Sequence, residues 1–396
     1  MIDSVTIQTD QFVTYSDEFF TKAQHQDLKG EFGIFGRYTS RYTTYPQTCK
    51  AEGRYFPQVH IVERLRRGKA GMVPVKRSLM IQVSLPKLVF GTSIFDLDER
   101  LLPLAAQKLA DALKEIKISV ASEHLLNAIV TRVDYSKILK ISPTYGTTDR
   151  ILRALAPYEM KQSSDFNRRD YHDGRDGFYV KFFNSSQGFV IYDKFDEIVA
   201  NGKTKLEQEI ARQYKDGKWT RGALRVELSL QKKQTVEMVL QRYSDSSVDK
   251  KTKDFTLRDV AKTHIAKDCL LRVFDSVYVK DFNRLVRLAD LKDAELLRII
   301  NEEVNDFRDR AIFYYLAHRV RAQGLKRAIE EMKREASSAT VGRYKRAIES
   351  ILSRAEAKKN VVGVVPYLRR KLEDFTPVLP KKLGLLLGVG EDTLNM

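Results

Sequence analysis

Cysteine is nearly absent: Cys49 and Cys269 are the only two in 396 residues. That is too few for a disulfide framework or a structural zinc site, and it suits a reducing cytoplasm. Histidine is sparse too, with six residues (His25, His60, His124, His172, His264, His318) and no His-x-His pair, so a paired-histidine metal strand is excluded. No window approaches the roughly 18 unbroken apolar residues that a membrane span needs. The opening MIDSVTIQTDQF has neither the basic start nor the apolar run of a signal peptide. A Walker loop, a Gly-x-Gly-x-x-Gly turn and a Ser-His-Asp arrangement are all missing, so energy coupling is not expected. Internal repeats and low-complexity tracts are absent as well.

Acid is the other shortage. Against 52 Asp/Glu stand 69 Lys/Arg, a net charge of +17. The usual reason for such an imbalance is a polyanionic partner, because neutralising phosphates releases condensed counterions. Nucleic acid is therefore the expected partner, and the competing explanation is a basic surface that only keeps the protein soluble. Hydrophobic content of 43% and charged content of 31% describe a globular chain long enough for two domains or three.

What is present divides the chain. Residues 1–243 read as strands with a few helices. Strands are expected at Asp3–Thr9, Ser78–Leu85, Asn127–Ser136, Gly177–Phe183, Gly188–Lys194 and Ala223–Leu230, all β-branched or aromatic with period-two alternation. Asn184–Gly188 has the composition of a hairpin loop. Glu99–Lys117 carries Leu102, Ala105, Ala106, Leu109 and Leu113 on one stripe, a helix to cover a sheet face, and Arg150–Tyr158 is a shorter one. The expected fold class is α+β on a largely antiparallel sheet. Residues 244–254, polar and without periodicity, read as a linker. Residues 255–396 read as all-helical, with runs at Leu257–Phe274, Leu291–Arg298, Asn305–Arg321, Leu325–Glu335 and Thr340–Lys358.

In that second half the spacing suggests a helix-turn-helix. Gly324 ends one helix, and Ser337–Thr340 caps another that carries Arg343, Tyr344, Lys345 and Arg346 near its start, where a recognition helix meets the major groove. From Arg310 to Lys359 there are thirteen Lys/Arg against five Asp/Glu. A solvated basic face on a packing helix is the bland alternative. His318–Arg321 followed by Tyr344 also matches the His-x-x-Arg and tyrosine of site-specific recombinases, at short spacing.

In the first half, GFVIYDKFDEI draws attention to Tyr192. Alternation puts Val190, Tyr192 and Lys194 on one face and Phe189, Ile191 and Asp193 on the other. A lysine beside a tyrosine favours the phenolate, or offsets charge on a phosphate. Arg225, Glu227 and Ser229 share the polar face of their strand, as do Arg132 and Asp134 of theirs. Asp134 and Glu227 are oxygen donors that suit Mg2+ or Mn2+, and structural salt bridges such as Arg132 with Glu227 are the alternative. Gly33–Phe56 interleaves Tyr38, Tyr42 and other aromatics with Arg37 and Arg41, a composition for stacking on unpaired bases while tracking phosphates. Arg168–Gly177, rich in charge and glycine, reads as a DNA-facing loop.

Several stretches, in order, resemble the rolling-circle replication initiators of the filamentous-phage gene-two family: MIDSVTI, SLPKLVFGTSIFDL, VTRVDYS, FVIYDK with LRVELSL, and YYLAHRVRAQG with SSATVGRYKRAI. The resemblance implies a HUH-like endonuclease domain, here without the paired histidines, followed by a DNA-binding helical domain. It implies a metal-dependent nicking–closing enzyme of the bacterial cytoplasm that cuts one strand at a phage or plasmid origin and later rejoins the displaced strand. Host helicase and polymerase are the implied partners. Tyr192 carries over as nucleophile with Lys194 beside it, and Asp134 and Glu227 as metal-binding acids. Where related initiators have paired histidines this chain has Gln82 and Ser84. The alternative is a non-enzymatic origin-binding initiator or repressor in which Tyr192 only packs.

Overall fold

All six alternating segments fold as strands, and all six join one antiparallel sheet. In a computed structural model, residues 1–16, 24–26, 38–42, 46–68, 71–142, 145–156, 168–174, 177–217, 222–242, 254–278, 293–323, 325–344 and 364–381 are described. Ten strands lie in the order β3 (Gln24–Gln26), β4 (Tyr38–Tyr42), β5 (Gln58–Gly68), β6 (Gly71–Ser84), β1 (Ile2–Thr9), β8 (Ile129–Lys140), β12 (Ala223–Leu230), β11 (Gln187–Asp193), β10 (Gly177–Phe183) and β9 (Arg168–Gly174). A separate pair joins β2 (Val13–Thr14) to β7 (Ile118–Ser119).

Alternation divides each central strand between two environments. Val5, Ile81, Val133, Leu228, Phe189 and their neighbours face a large apolar cluster, which also takes in Leu109 and Leu113 of the helix Leu102–Glu115 and Phe274 and Tyr278 of the helix Thr263–Tyr278. Each such side chain contributes roughly 1.5–3 kcal/mol by leaving water. The opposite face is polar, and a smaller apolar cluster covers only one end of it, where Ile138 and Ala223 meet Phe95, Phe195, Ile198 and Ile210.

The connections were less legible than the strands. Between β10 and β11, Asn184 Oδ1 accepts from the backbone N–H of Ser186 at 2.7 Å and of Gln187 at 2.8 Å, the expected hairpin loop. Arg168–Gly174 is a strand rather than a loop, because pairing with β10 supplies hydrogen bonds that its composition does not advertise. β11 ends at Asp193, whose carboxylate accepts from Phe195 N at 2.8 Å and Asp196 N at 3.2 Å and so starts the helix Lys194–Asn201. Lys194 is thus the first residue of a helix and not the last of a strand. The following helix, Lys205–Lys215, is capped by the Thr204 hydroxyl accepting from Glu207 N at 3.1 Å. The sheet-covering helix begins at Leu102, after a 3-10 turn at Glu99–Leu101.

Of the expected linker only Asp254 is described; it pairs with Lys233. Beyond it the described residues contain helices at Leu257–Val260, Thr263–Tyr278, Asp293–Glu303, Phe307–Gln323, Leu325–Glu335 and Val364–Asp374, with a further helical run at 338–344. Gly324 lies outside the described residues. Ser337 caps the 338–344 run, its hydroxyl accepting from Thr340 N at 3.3 Å. The helix Val364–Asp374 packs back on the sheet end: Tyr367 stacks on Tyr145 at 3.7 Å and accepts from Ser142 N at 2.9 Å. No helix among the described residues is long and apolar enough to cross a membrane.

Candidate active site

Strand register assembles the polar face. Tyr192 lies opposite Arg225, Val190 opposite Glu227, and Ser229 opposite Asp134. Asp134 in turn lies opposite Ser4, next to an irregularity of β1 between Ile2 and Ser4 that contains Asp3. Cross-strand partners project to the same side of a sheet, so alternation and strand order together deliver the phenol, the guanidinium, Glu227 and Asp134 to one place, and the irregularity of β1 adds Asp3.

The phenol of Tyr192 donates to Glu227 Oε2 at 3.2 Å. Arg225, only 1% exposed, places Nε 3.4 Å from the same oxygen. Its remaining donors are anchored as well: Nη2 lies 2.5 Å from Asp3 Oδ1 and 2.9 Å from Ser136 Oγ, and Nη1 donates to Ser93 O at 2.8 Å. Nη1 and Nη2 have acceptors, while among the described residues the buried Nε makes no hydrogen bond and is held only by the charge of Glu227. Lys194 sits with Nζ 5.8 Å from the centroid of the Tyr192 ring and 2.6 Å from Glu197 Oε2. Arg132 Nη2 pairs with Asp134 Oδ2 at 3.1 Å. Arg132 pairs with Asp134 on its own strand, and Arg225 pairs with Glu227 on its own strand and with Asp3 across strands; among the described residues no pair runs from Arg132 to Glu227.

Burial sets the protonation. It pushes the Tyr192 phenol well above the usual tyrosine range; Arg225 opposes this, while Glu227, Glu197 and Asp3 add to it. Burial likewise raises Glu227 to about 7, against the pull of Arg225 and with the help of Asp3 and Asp134. Asp134 is raised by burial, with Arg132 opposing. Burial works against the Asp3 carboxylate also, but Arg225 and Lys194 outweigh it and hold Asp3 below the usual range. Lys194 is lowered by burial and then by Arg225. The consequence is chemical: at neutral pH the phenol carries its proton, and the carboxylate that receives its hydrogen bond is half ionised, poised as a base.

Asp134 and Glu227 are hard oxygen donors, and the charge of Asp134 adds to the raised proton affinity of Glu227, a repulsion that a cation relieves. The Tyr192 phenol and Arg225 Nε both approach Glu227 at Oε2. Among the described residues no group of three or more His, Cys, Asp or Glu side chains is arranged to hold a metal ion. A Mg2+ ion, which commonly takes one or two carboxylates and completes its shell with water and substrate phosphate, fits this two-carboxylate set better than a metal needing an all-protein cage.

The remaining candidates are not gathered here. Arg343 is exposed, its guanidinium 5.2 Å from the Tyr344 ring centroid. Tyr344 is 8% exposed and meets Phe313 edge-on at 6.0 Å, and His318 Nε2 lies 3.7 Å from Asp293 Oδ1. Tyr38, Arg41 and Tyr42 lie on β4, opposite Arg64, Ile61 and His60. Arg37, Lys345 and Arg346 fall outside the described residues. Gln82 and Ser84 are on β6, facing the same side as Asp134 through Thr6 and Ser4.

Three participants escaped the reading of the letters: Asp3, Arg225 as an anchored cation, and Glu197. Asp3 had a signal, a carboxylate inside a strand of β-formers, which is the same anomaly that singled out Glu227. Arg225 was visible only as the polar neighbour of Glu227.

The family model for the N-terminal part of the phage replication-associated gene-II protein matches residues 63–249, a span that holds Asp134, Tyr192, Lys194, Arg225 and Glu227. Asp3 lies outside it. Neither a curated protein nor a solved structure matches.

Proposed function

From a chain whose residues 63–249 match a filamentous-phage gene-II-like replication protein, we propose a replication initiator that nicks one DNA strand through Tyr192 and later reseals it. The observation that carries this reading is the hydrogen bond from the Tyr192 hydroxyl to Glu227 Oε2, 3.2 Å long, on the polar face of the sheet.

The chemistry follows from the site. Tyr192 oxygen attacks the phosphorus of the scissile phosphodiester in line, and its proton passes to Glu227 Oε2. The bond to the 3′ oxygen breaks, leaving a 5′-phosphotyrosine and a 3′ oxyanion that takes a proton from water to become the 3′ hydroxyl. Lys194, above the ring, and Arg225, beside the carboxylate, offset the negative charge that builds on the phenol oxygen and the phosphate. In rejoining, a 3′ hydroxyl releases its proton to water as it attacks the phosphotyrosine, and Tyr192 leaves as a phenolate that recovers its proton from Glu227. One ester replaces another at each step, so resealing needs no nucleotide triphosphate, in keeping with a chain that lacks a phosphate-binding loop. Mg2+ or Mn2+ held by Asp134 and Glu227 would polarise the phosphate oxygens. The free 3′ hydroxyl is a primer for a host polymerase, and a host helicase would open the duplex ahead of it.

The test separates chemistry from binding. Tyr192→Phe is expected to bind an origin-bearing supercoiled plasmid as the wild type does while producing no nicked circles. Nicking by the variant at the wild-type rate would overturn the assignment. The exposed Arg343 supports a second contact, in which the C-terminal helices hold duplex DNA; Arg343→Ala would then weaken duplex binding and flatten its salt dependence.

A further inference from the structure

Residues 91–96 bury polar side chains and supply none of them to the chemistry. Thr92, Ser93 and Asp96 are each at most 2% exposed. A polar group is withdrawn from water only where partners replace it, and the partners here fix the segment at three points. Gly91 O accepts from the Thr204 hydroxyl at 2.6 Å. The Ser93 hydroxyl donates to Glu207 Oε1 at 3.3 Å. Asp96 accepts from Lys137 Nζ at 2.7 Å and from Val378 N at 2.9 Å, and its own N–H donates to Val378 O at 2.8 Å. Between these anchors, Ser93 O accepts from Arg225 Nη1 at 2.8 Å.

Glu207 is the hub of that arrangement. It is fully buried, in the first turn of the helix Lys205–Lys215. Its Oε1 takes the Ser93 hydroxyl and lies 3.0 Å from Lys87 Nζ, while Oε2 accepts from Lys87 Nζ at 3.2 Å and from Lys203 N at 3.1 Å. Lys87 belongs to the helix Leu85–Phe90, just before the segment. A carboxylate so placed cannot turn without abandoning a partner, so it is a rigid post for Ser93. Lys87 bears on the site as well: against burial, Lys194 and then Lys87 hold Glu197 below the usual carboxylate range, and Glu197 is the partner of Lys194.

We infer that Glu207 is a positioning residue for nicking, acting through Ser93 on Arg225. The inference rests on the nicking reading of Tyr192. Strand register puts Arg225 beside Tyr192 but does not set the rotation of so long a side chain. Ser93 O holds Nη1, and Asp3 and Ser136 hold Nη2. The guanidinium plane is thereby fixed, with Nε presented to Glu227 Oε2, the oxygen that takes the Tyr192 proton. Hydrogen bonds from a charged donor are among the strong ones. Both Glu207 and Ser93 are sealed from solvent, so their effect on DNA chemistry passes through Arg225. Loosening the post lets Nε leave Glu227, and such a misplacement slows the chemical step while leaving DNA binding as it was.

Ser93→Ala keeps the carbonyl and removes its tether. The nicking rate of an origin-bearing supercoiled plasmid at saturating protein is measured beside plasmid affinity, with Tyr192→Phe as the reference for lost chemistry. Thermal melting confirms that each variant is folded. Ser93→Ala is expected to nick about tenfold more slowly with affinity unchanged, within the roughly 100-fold that a remote misplacement can cost. Glu207→Gln offers one acceptor oxygen to two donors, Ser93 Oγ and Lys203 N, gives a loss of the same kind, and stands in if Ser93→Ala does not fold. In an Arg225→Lys background, which has no Nη1 for the carbonyl to hold, Ser93→Ala costs no further rate, whereas a purely structural residue would slow both backgrounds equally. If that background does not fold, the split between rate and affinity decides. A wild-type rate in the folded variants, a loss confined to affinity, or an equal loss in both backgrounds overturns the inference and leaves the nicking reading standing. Nicking by Tyr192→Phe at the wild-type rate overturns both.

Discussion

β11 and β12 each present two faces made of the same backbone and opposite chemistry. Toward the core lie Phe189, Ile191, Leu224, Val226 and Leu228, all buried in the main apolar cluster. Toward the other side lie Tyr192, Arg225 and Glu227, which are buried or half-buried among charges. The first face contributes stability side chain by side chain and is indifferent to chemistry. The second is a cost to the fold: a guanidinium, an ammonium and several carboxylates are withdrawn from water, and each is tolerated only because a partner stands beside it. That withdrawal is what perturbs the phenol and the carboxylate and makes them useful together.

Neighbouring residues break this comparison most sharply. Tyr192→Phe is expected to lower nicking by at least about 1,000-fold, since removal of a nucleophile leaves only binding and electrostatics, while stability changes by about 1 kcal/mol, one hydrogen bond. Ile191→Ala, one residue away on the other face, is expected to cost about 2–5 kcal/mol of stability with the nicking rate of the folded fraction near that of wild type. Urea unfolding and a plasmid nicking assay on both variants check the pair. Equal behaviour of the two would erase the distinction between the faces.

Arg225→Ala comes next. It strips Asp3 and Glu227 of their shared cation and leaves Ser93 O and Ser136 Oγ without its donors. A loss of about 3–5 kcal/mol in urea unfolding is expected; a loss below about 1 kcal/mol would mean that the site is more open to water than its contacts imply.

The pH dependence is subtler. Glu227 is raised by burial from an ordinary 4.5 to about 7 in the folded chain, so the folded state holds that proton more tightly than the unfolded one. Its favourable contribution is fully present below the unfolded value and is lost as pH rises through the folded one. In EDTA, wild-type protein should therefore lose melting temperature relative to Glu227→Gln between about pH 5 and pH 8, and parallel melting curves would refute the raised affinity. The smallest effect belongs to the exposed pair Arg153–Asp149, 3.0 Å apart on a helix surface; Arg153→Ala should change stability by less than about 0.5 kcal/mol.

How much of this was legible beforehand follows from what is local. Period-two alternation in FVIYDK and LRVELSL is local, and it placed Tyr192 and Glu227 on polar faces before any neighbour was known. Which strands lie side by side is not local. β1 inserts between β6 and β8, far from either along the chain, and only that insertion brings Asp3 to Arg225. Lys194 fell to a competing signal: Asp193 caps a helix, and a carboxylate that satisfies two free N–H groups outweighs the continuation of a β pattern. Arg168–Gly174 was missed because a charged strand held by its partner carries no apolar period.

The most direct test is to incubate the protein with a labelled origin single strand and Mn2+, denature it, digest it, and locate the nucleotide-bearing peptide by mass spectrometry. A 5′-phosphate on Tyr192 is the predicted result. An adduct on another residue, or nicked DNA with no adduct at all, would contradict the account.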